Sequence, residues 1–491
     1  MSFQSFDFPP LHPSPGVIVA IQSLSCDTET TTIPEDTVNL LAINEESELW
    51  KLQLHNGQAE KLLSIENIPD LNIKHPLQIV ISPNGKYAAV SNQLGRYAAV
   101  FDLYLREQLP IKLERDGYHS DKSVFPLVFT EISQGRTLLI HGSEWNRLDI
   151  TDILSGKNLS ERPSPSFDQE AKEKHEHYLE YFHGQLHMSP DGKTVAETGW
   201  IWHPMAETRC WNIEEWLENN RWESEDGASL RCLWPSLLDW DVPMAWLDSN
   251  TLAVWGKVDE DMIDKEDEEN GEVEINAVLW FDVKSGKRLG RLLSVPAYTM
   301  TPYTTLFPYT QAQMVAANGQ IFLWDNGIDF TVWNIETGQC ETTKADFQPD
   351  LYHAPSGLFL IHDAEHGGQY TAWRYKVPPP APVTVKSCGG NACSTCNKCR
   401  DWYRLGNRWN KCPDAACSGI IKKDTDGHPD GGGSTRTYIN GHGQATGWDI
   451  TGSTSTRDYD GGRLGPGAYI VTHGTASTSK GHPDLCTCEI K

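Results

Sequence analysis

No apolar run in these 491 residues approaches the roughly 20 residues that a membrane-spanning helix requires. Before Lys376 there is no glycine-rich phosphate loop, no nucleophile elbow and no helical His-x-x-x-His pair, so the familiar signatures of phosphoryl, acyl and zinc-hydrolase chemistry are missing there. The opening 25 residues, "MSFQSFDFPPLHPSPGVIVAIQSLS", have no basic start and place prolines ahead of their only apolar run, a poor secretory signal. Basic residues are scarce: 41 Lys+Arg face 67 Asp+Glu, for a net charge of −26. The shortage is local. Residues 381–491 hold 13 basic and 10 acidic residues, net +3, so the preceding part keeps 28 of the 41 basic and 57 of the 67 acidic residues, net −29. Such a surface repels nucleic acid and anionic membrane. A cytoplasmic location is expected, and with it reduced cysteines.

The chain is too long for one core, and its composition, 38% hydrophobic and 22% charged, is ordinary for globular domains. Residues 1–376 repeat a short unit: a turn, an apolar strand, a gap, then a second strand rich in Trp or Phe. Clear copies are "SPNGKYAAVSN" with "YAAVFDL", "SPDGKTVAETG" with "TRCWNI", "LDSNTLAVWG" with "AVLWFDVKSGKRL", "ANGQIFLWD" with "FTVWNIETGQC", and "APSGLFLIHD" with "YTAWRY". Weaker copies are "VNLLAIN" with "ELWKLQLHNG" and "ISQGRTLLIHG" with "NRLDITDILSG", making seven. Asn-Gly, Asp-Gly and Ser-Gly pairs supply the tight turns. Units of about 40–50 residues with several short β-branched and aromatic strands point to a propeller, in which each small sheet buries its faces only against its neighbours.

"SPDGK…VA" followed by "VWNIETG" resembles the WD-repeat type of β-propeller over roughly residues 16–376. The resemblance implies a binding platform and no particular ligand. The early strand "GVIVAIQ" (Gly16–Gln22) is expected to complete a blade next to the last unit and close the ring. Of the insertions, "SFDQEAKEKHEHYLEYFH" (Ser166–His183) reads as a polar helix and "NIEEWLENNRW" (Asn212–Trp222) as a short amphipathic turn or helix. The acidic "DEDMIDKEDEENGE" (Asp259–Glu272) lacks the glycine spacing of a calcium loop and reads as a solvated loop. His175 and His177, two apart in a helix-like stretch, share no face and are expected to be exposed. Trp211, Trp280, Trp324, Trp333 and Trp373 are expected in blade packing. Cys26, Cys210, Cys232 and Cys340 are scattered and read as buried or idle thiols.

"KVPPPAPVTVKS" is a stiff connector, so the expected organisation is a propeller over 1–376, a proline-rich linker over 377–387 and a cysteine-rich domain over 388–491. Residues 381–491 hold 18 of the 40 glycines and 8 of the 12 cysteines, but only 12 Leu, Ile, Val and Phe. That is too little apolar surface for an unaided core, so a staple is required. Cys396-x-x-Cys399, twelve residues, then Cys412-x4-Cys417 has the form of a four-thiolate zinc site, with disulfides or free thiols as the alternatives. The segment Cys396–Gly419 resembles a zinc ribbon or treble clef. Cys388, Cys393, Cys486 and Cys488 are candidates for a second structural zinc, and His428, His442, His473 and His482 are possible substitutes. "TRTYIN", "GWDIT" and "AYIVTH" read as strands of a small β-domain. The fold class expected is therefore all-β.

The function expected from these readings is a non-enzymatic interaction scaffold: the propeller is the platform and the zinc domain a second contact or assembly element. Two alternatives remain open at this level. One is an enzyme whose C-terminal zinc domain acts as hydrolase or ubiquitin-transfer module; the other is a secreted, disulfide-stapled adhesin. "CRDWYRLGNRW" sets Trp402 and Trp409 among Arg400, Arg404 and Arg408, residue types enriched at interface hot spots, although the tryptophans could equally pack the zinc core. Those arginines suit an acidic protein partner, including the propeller of the same or another copy.

Overall fold

The computed structural model describes residues 2–376, except 25–36, 67, 133–134, 164–166, 169–172, 175, 202–204, 238–240, 259–274, 299–311 and 364–367. Beyond 376 it describes three strands, Ile421–Asp424, Ser434–Ile439 and Ala445–Thr451. The chain divides into two units, Met1–Lys376 and Val377–Lys491.

The first unit is a seven-bladed β-propeller. Each blade is an antiparallel sheet of consecutive strands, and in chain order the second strands are Asn39–Asn44, Tyr87–Asn92, Arg136–Glu144, Thr194–Ile201, Thr251–Val258, Gln320–Asp325 and Leu358–Asp363. All seven coincide with the repeat units read in the sequence. Local chemistry recurs from blade to blade. In "SPNGK" the Ser82 hydroxyl accepts the Tyr87 N–H at 2.9 Å and donates to Asn84 at 2.7 Å; in "SPDGK" Ser189 does the same with Thr194 and Asp191 at 2.9 and 2.7 Å. Gly85 and Gly192 complete these turns at φ of 68° and 71°, where a Cβ would be strained. After the third strand, Asp102, Asp152, Asp282 and Asn334 each accept a backbone N–H two or three residues on, fixing the turn to the fourth strand.

The core lies between blades. Leu40, Ala42 and Trp50 of the first blade pack with Leu358 and Tyr370 of the seventh, and Leu41, Ile43 and Leu49 pack with Val90 and Phe101 of the second. Further clusters join the second to the third blade, the third to the fourth, the fourth through the sixth, and the sixth to the seventh. Every blade is thus held by both neighbours. The five tryptophans expected in blade packing stand on strands: Trp211, Trp324 and Trp333 are buried, whereas Trp280 and Trp373 are half-buried.

Ring closure corrects the expectation from sequence. The strand Ile18–Ser23 does not join the last blade; it is the innermost strand of the first, paired with Asn39–Asn44. Closure falls to Ser2–Asp7, paired antiparallel with Gln369–Lys376 from Ser2↔Lys376 to Asp7↔Thr371. The reason lies in "SFQSFDF". Phe3 points into the seam between the sixth and seventh blades, 5.7 Å from Phe330 and 5.4 Å from Phe347, while Phe6 and Phe8 join the seam between the seventh and the first. One strand alternating in this way serves both seams.

The expected polar helix over Ser166–His183 is also corrected. Phe167–Asp168 pairs with Glu173–Lys174 as a short hairpin, and Tyr181–Phe182 pairs with Trp200–Ile201 as an inner strand of the fourth blade. Two adjacent aromatics, both buried, fit a strand held on both faces better than a helix exposed on one. The other insertion forms the helix Ile213–Glu218, capped by Asn212 accepting the Glu215 N–H at 3.0 Å, with Ile213 and Trp216 buried. Strands Ser434–Ile439 and Ala445–Thr451 fall on "TRTYIN" and "GWDIT"; "AYIVTH" lies outside the described residues.

Candidate functional site

Antiparallel order puts the blade-to-blade connections and the turns between second and third strands on one face of the ring. This connection face carries a groove and a cavity. The groove, 380 Å³, lies over the second blade between Asp70, Asn72 and His75 on one bank and Arg96, Ser120 and Asp121 on the other. Its bank is built by Asn92, whose side chain both donates to the Asn72 carbonyl at 2.8 Å and accepts the Asn72 N–H at 2.9 Å. The cavity, 270 Å³, opens at the inner ends of the fourth, fifth and sixth blades and is lined by Gln185, His187, Asp241, Met244 and Gln313. Gln93 lines both. Its backbone is fixed by its N–H to Pro76 and its carbonyl to the Phe125 N–H, each 2.8 Å.

Behind the cavity sits a knot of ionisable groups. Glu197 is fully buried; one carboxyl oxygen meets His183 Nδ1 at 2.7 Å and the other accepts the Gly184 N–H at 3.1 Å. The neighbouring Gln185 N–H donates to Asp241 Oδ1 at 2.8 Å. Successive amides of one short segment therefore clamp two different carboxyl groups. His183 Nε2 has no hydrogen-bond partner among the described residues. Gly184 is required for the close approach, because a Cβ there would lie 2.2 Å from Asp241 Oδ1 and 2.4 Å from the Thr198 carbonyl. Burial raises the Asp241 carboxyl from 3.8 to about 6, and the Glu197 charge adds to the rise. Burial also pushes the His187 imidazole down to about 4, so it is neutral at physiological pH.

A buried cation that acts on this knot is already committed. The Arg115 guanidinium donates to Gly95, Val124, Ser120 and Ser123 carbonyls and to the Ser123 hydroxyl, which uses all five of its N–H bonds. It acts on Asp241 through space only, and burial lowers it to about 10, still charged at neutral pH. Beside it, Tyr118, Trp145, Phe182 and Trp200 form an aromatic wall, with Phe182 4.5 Å from both tryptophan centroids and 5.8 Å from Tyr118. A second buried network, Arg162 between Asp149 at 3.1 Å and Glu225, ties the short helix Glu223–Asp226 to the third blade.

Among the described residues, none singled out in sequence lies in this site. Cys388, Cys393, Cys396, Cys399, Cys412, Cys417, Cys486 and Cys488, with Arg400, Trp402, Arg404, Arg408 and Trp409, lie outside the described residues, as do Cys26, His175 and Asp259–Glu272. His177 is half-buried, stacked on Trp222 at 4.6 Å and 2.9 Å from Asp226. Cys210 is buried, while Cys232 and Cys340 are exposed. Among the described residues no group of three or more His, Cys, Asp or Glu is arranged to hold a metal, and no helix is long and apolar enough to cross a membrane. Sequence reasoning missed Arg115, His183, Glu197 and Asp241; His183 and Glu197 belong to the fourth blade, Arg115 and Asp241 stand on blade-to-blade connections, and together they form no motif.

No protein-family model matches the chain, and no curated protein matches it. Among solved structures it is similar to hydrazine synthase of Kuenenia stuttgartiensis, at 14% identity over 64% of this chain and 81% of that one, with a TM-score of 0.37. It is also similar to U3-55K, at 10% identity over 75% of this chain and 98% of that one, with a TM-score of 0.43. The fold rests on the strand pairing described above.

Proposed function

We propose that this protein is a non-enzymatic interaction platform of the WD-repeat type, which holds an extended segment of a protein partner on its connection face in the cytoplasm. The observation that carries this reading is that the groove over the second blade and the cavity at the inner ends of the fourth to sixth blades lie on one face and share Gln93 as a lining residue. A track of that form fits an extended chain better than a compact substrate. The net charge of −29 before residue 381 favours a basic partner segment and faster encounter with it. The cysteine-rich region, with zinc as structural cofactor, supplies the second contact, and its Arg404 and Arg408 suit an acidic surface.

The test is affinity purification from the native host with three forms of the full chain: wild type, Asp70→Arg/Asp121→Arg on the groove, and Tyr104→Glu on the opposite face, where Tyr104 is 83% exposed. The expected result is a partner set lost with the groove variant and retained with Tyr104→Glu. Partners lost only with Tyr104→Glu would move the platform to the other face. Turnover of a substrate by the isolated 377–491 region would favour the enzyme.

A further inference from the structure

Among the described residues lining this cavity, Asp241 carries the only acidic side chain and there is no Lys or Arg. Asp241 Oδ1 accepts the Gln185 N–H, whereas Oδ2 accepts no hydrogen bond among the described residues. The backbone of Asp241 stands in the left-handed region at φ of 48°, which aspartate adopts more readily than most residues. The geometry therefore presents a carboxyl with one oxygen fixed and one open. The guanidinium that acts on it through space, Arg115, has no N–H left to give it. His187, the remaining basic lining group, is uncharged at neutral pH and does not repel a cation. Gln93 and Gln185 add amide oxygens that accept hydrogen bonds from other directions.

From these observations, and resting on the platform reading above, we infer that the cavity receives an arginine side chain of the partner segment lying in the groove, with the Asp241 carboxylate as its counter-ion. The planar guanidinium, with five donors, meets acceptors in several directions, whereas a lysine ammonium would leave the amide oxygens less well served. A volume of 270 Å³ equals about nine waters at roughly 30 Å³ each, enough for one long side chain with residual solvent. An anionic group is disfavoured because it would meet Asp241 with Glu197 behind it. A segment lying in the groove would reach the cavity past Gln93, which lines both.

The experiment uses the full chain and a fluorescein-labelled peptide, Gly-Gly-Ala-Arg-Ala-Gly-Gly, read by anisotropy at pH 7.5 against its lysine and citrulline counterparts. Citrulline keeps the shape and removes the charge. The expected result is at least tenfold weaker binding of the citrulline peptide, an intermediate value for lysine, and at least tenfold weaker binding of the arginine peptide to Asp241→Asn. Asp329→Asn, an exposed carboxyl removed from the sixth blade, should stay within twofold of wild type. Equal binding of arginine and citrulline peptides, full affinity in a folded Asp241→Asn protein, or no binding at millimolar peptide would overturn the inference. Host partners that depend on Asp70 and Asp121 but not on Asp241 would leave the platform standing and remove only the arginine.

Discussion

Asp241→Asn should stabilise the propeller at neutral pH while impairing its site. The carboxyl rises from 3.8 to about 6 on folding because burial disfavours its charge. A raised carboxyl is a cost present above the folded value and absent below the unfolded one. The step from 3.8 to about 6, at about 1.4 kcal/mol for each tenfold change in acidity, corresponds to about 3 kcal/mol. The residue lines an open cavity and is only half-buried, so water screens part of this and about 1–2 kcal/mol remains. Asparagine keeps the Oδ1 acceptor for the Gln185 N–H and removes the charge that Glu197 opposes and Arg115 favours. With an unfolding entropy of about 2 cal/mol/K per residue, the gain is about 2 °C in Tm for a unit of this size. The assay is thermal and urea unfolding of wild type and variant at pH 7.5 and pH 4. The variant should be the more stable at pH 7.5, and the two should converge near pH 4, where the wild-type carboxyl is protonated when folded. A variant that is less stable at pH 7.5, or a difference that does not depend on pH, would refute the electrostatic account.

Removing residues 1–8 should open the ring, because Gln369–Lys376 loses its partner strand and becomes a bare sheet edge; aggregation on size exclusion and a lower Tm are expected. Arg162→Ala strands Glu225 in the interior, while Asp149 keeps Arg147, and should cost about 3 kcal/mol in urea unfolding, whereas Arg106→Ala, which ends an exposed pair with Glu60, should cost less than about 1 kcal/mol. Purified full chain should carry bound zinc by elemental analysis. Cys399→Ser or Cys412→Ser should lower that content and make the region beyond 387 protease-sensitive, while Cys340→Ser changes neither. Zinc-free protein with no free thiols beyond residue 387 would favour disulfides.

The seven repeat units were legible because blade formation is local. A Ser-Pro-Asn-Gly-Lys turn, an alternating apolar strand and an Asp- or Asn-capped outer turn are written within about 25 consecutive residues, and each bonds mainly to itself. The short helix after Asn212 was legible for the same reason, since its cap and its two buried residues lie within five positions. Closure was not. Nothing local distinguishes Ser2–Asp7 from Ile18–Ser23 as the partner of Gln369–Lys376; the choice depends on Phe3, Phe6 and Phe8 finding two seams that exist only once seven blades are assembled. The Ser166–His183 stretch misled because a run of charged residues favours a helix in isolation, yet Tyr181 and Phe182 gain more by burial against Trp200 than a helical turn returns. The site was the least legible of all. Arg115, His183, Glu197 and Asp241 are separated by up to 126 positions, and each alone reads as an ordinary surface residue. Sequence determined the blade, because a blade is a set of near-neighbour bonds. Tertiary structure decided the closure and the charged cavity, because both depend on groups that only the completed ring brings within reach of one another.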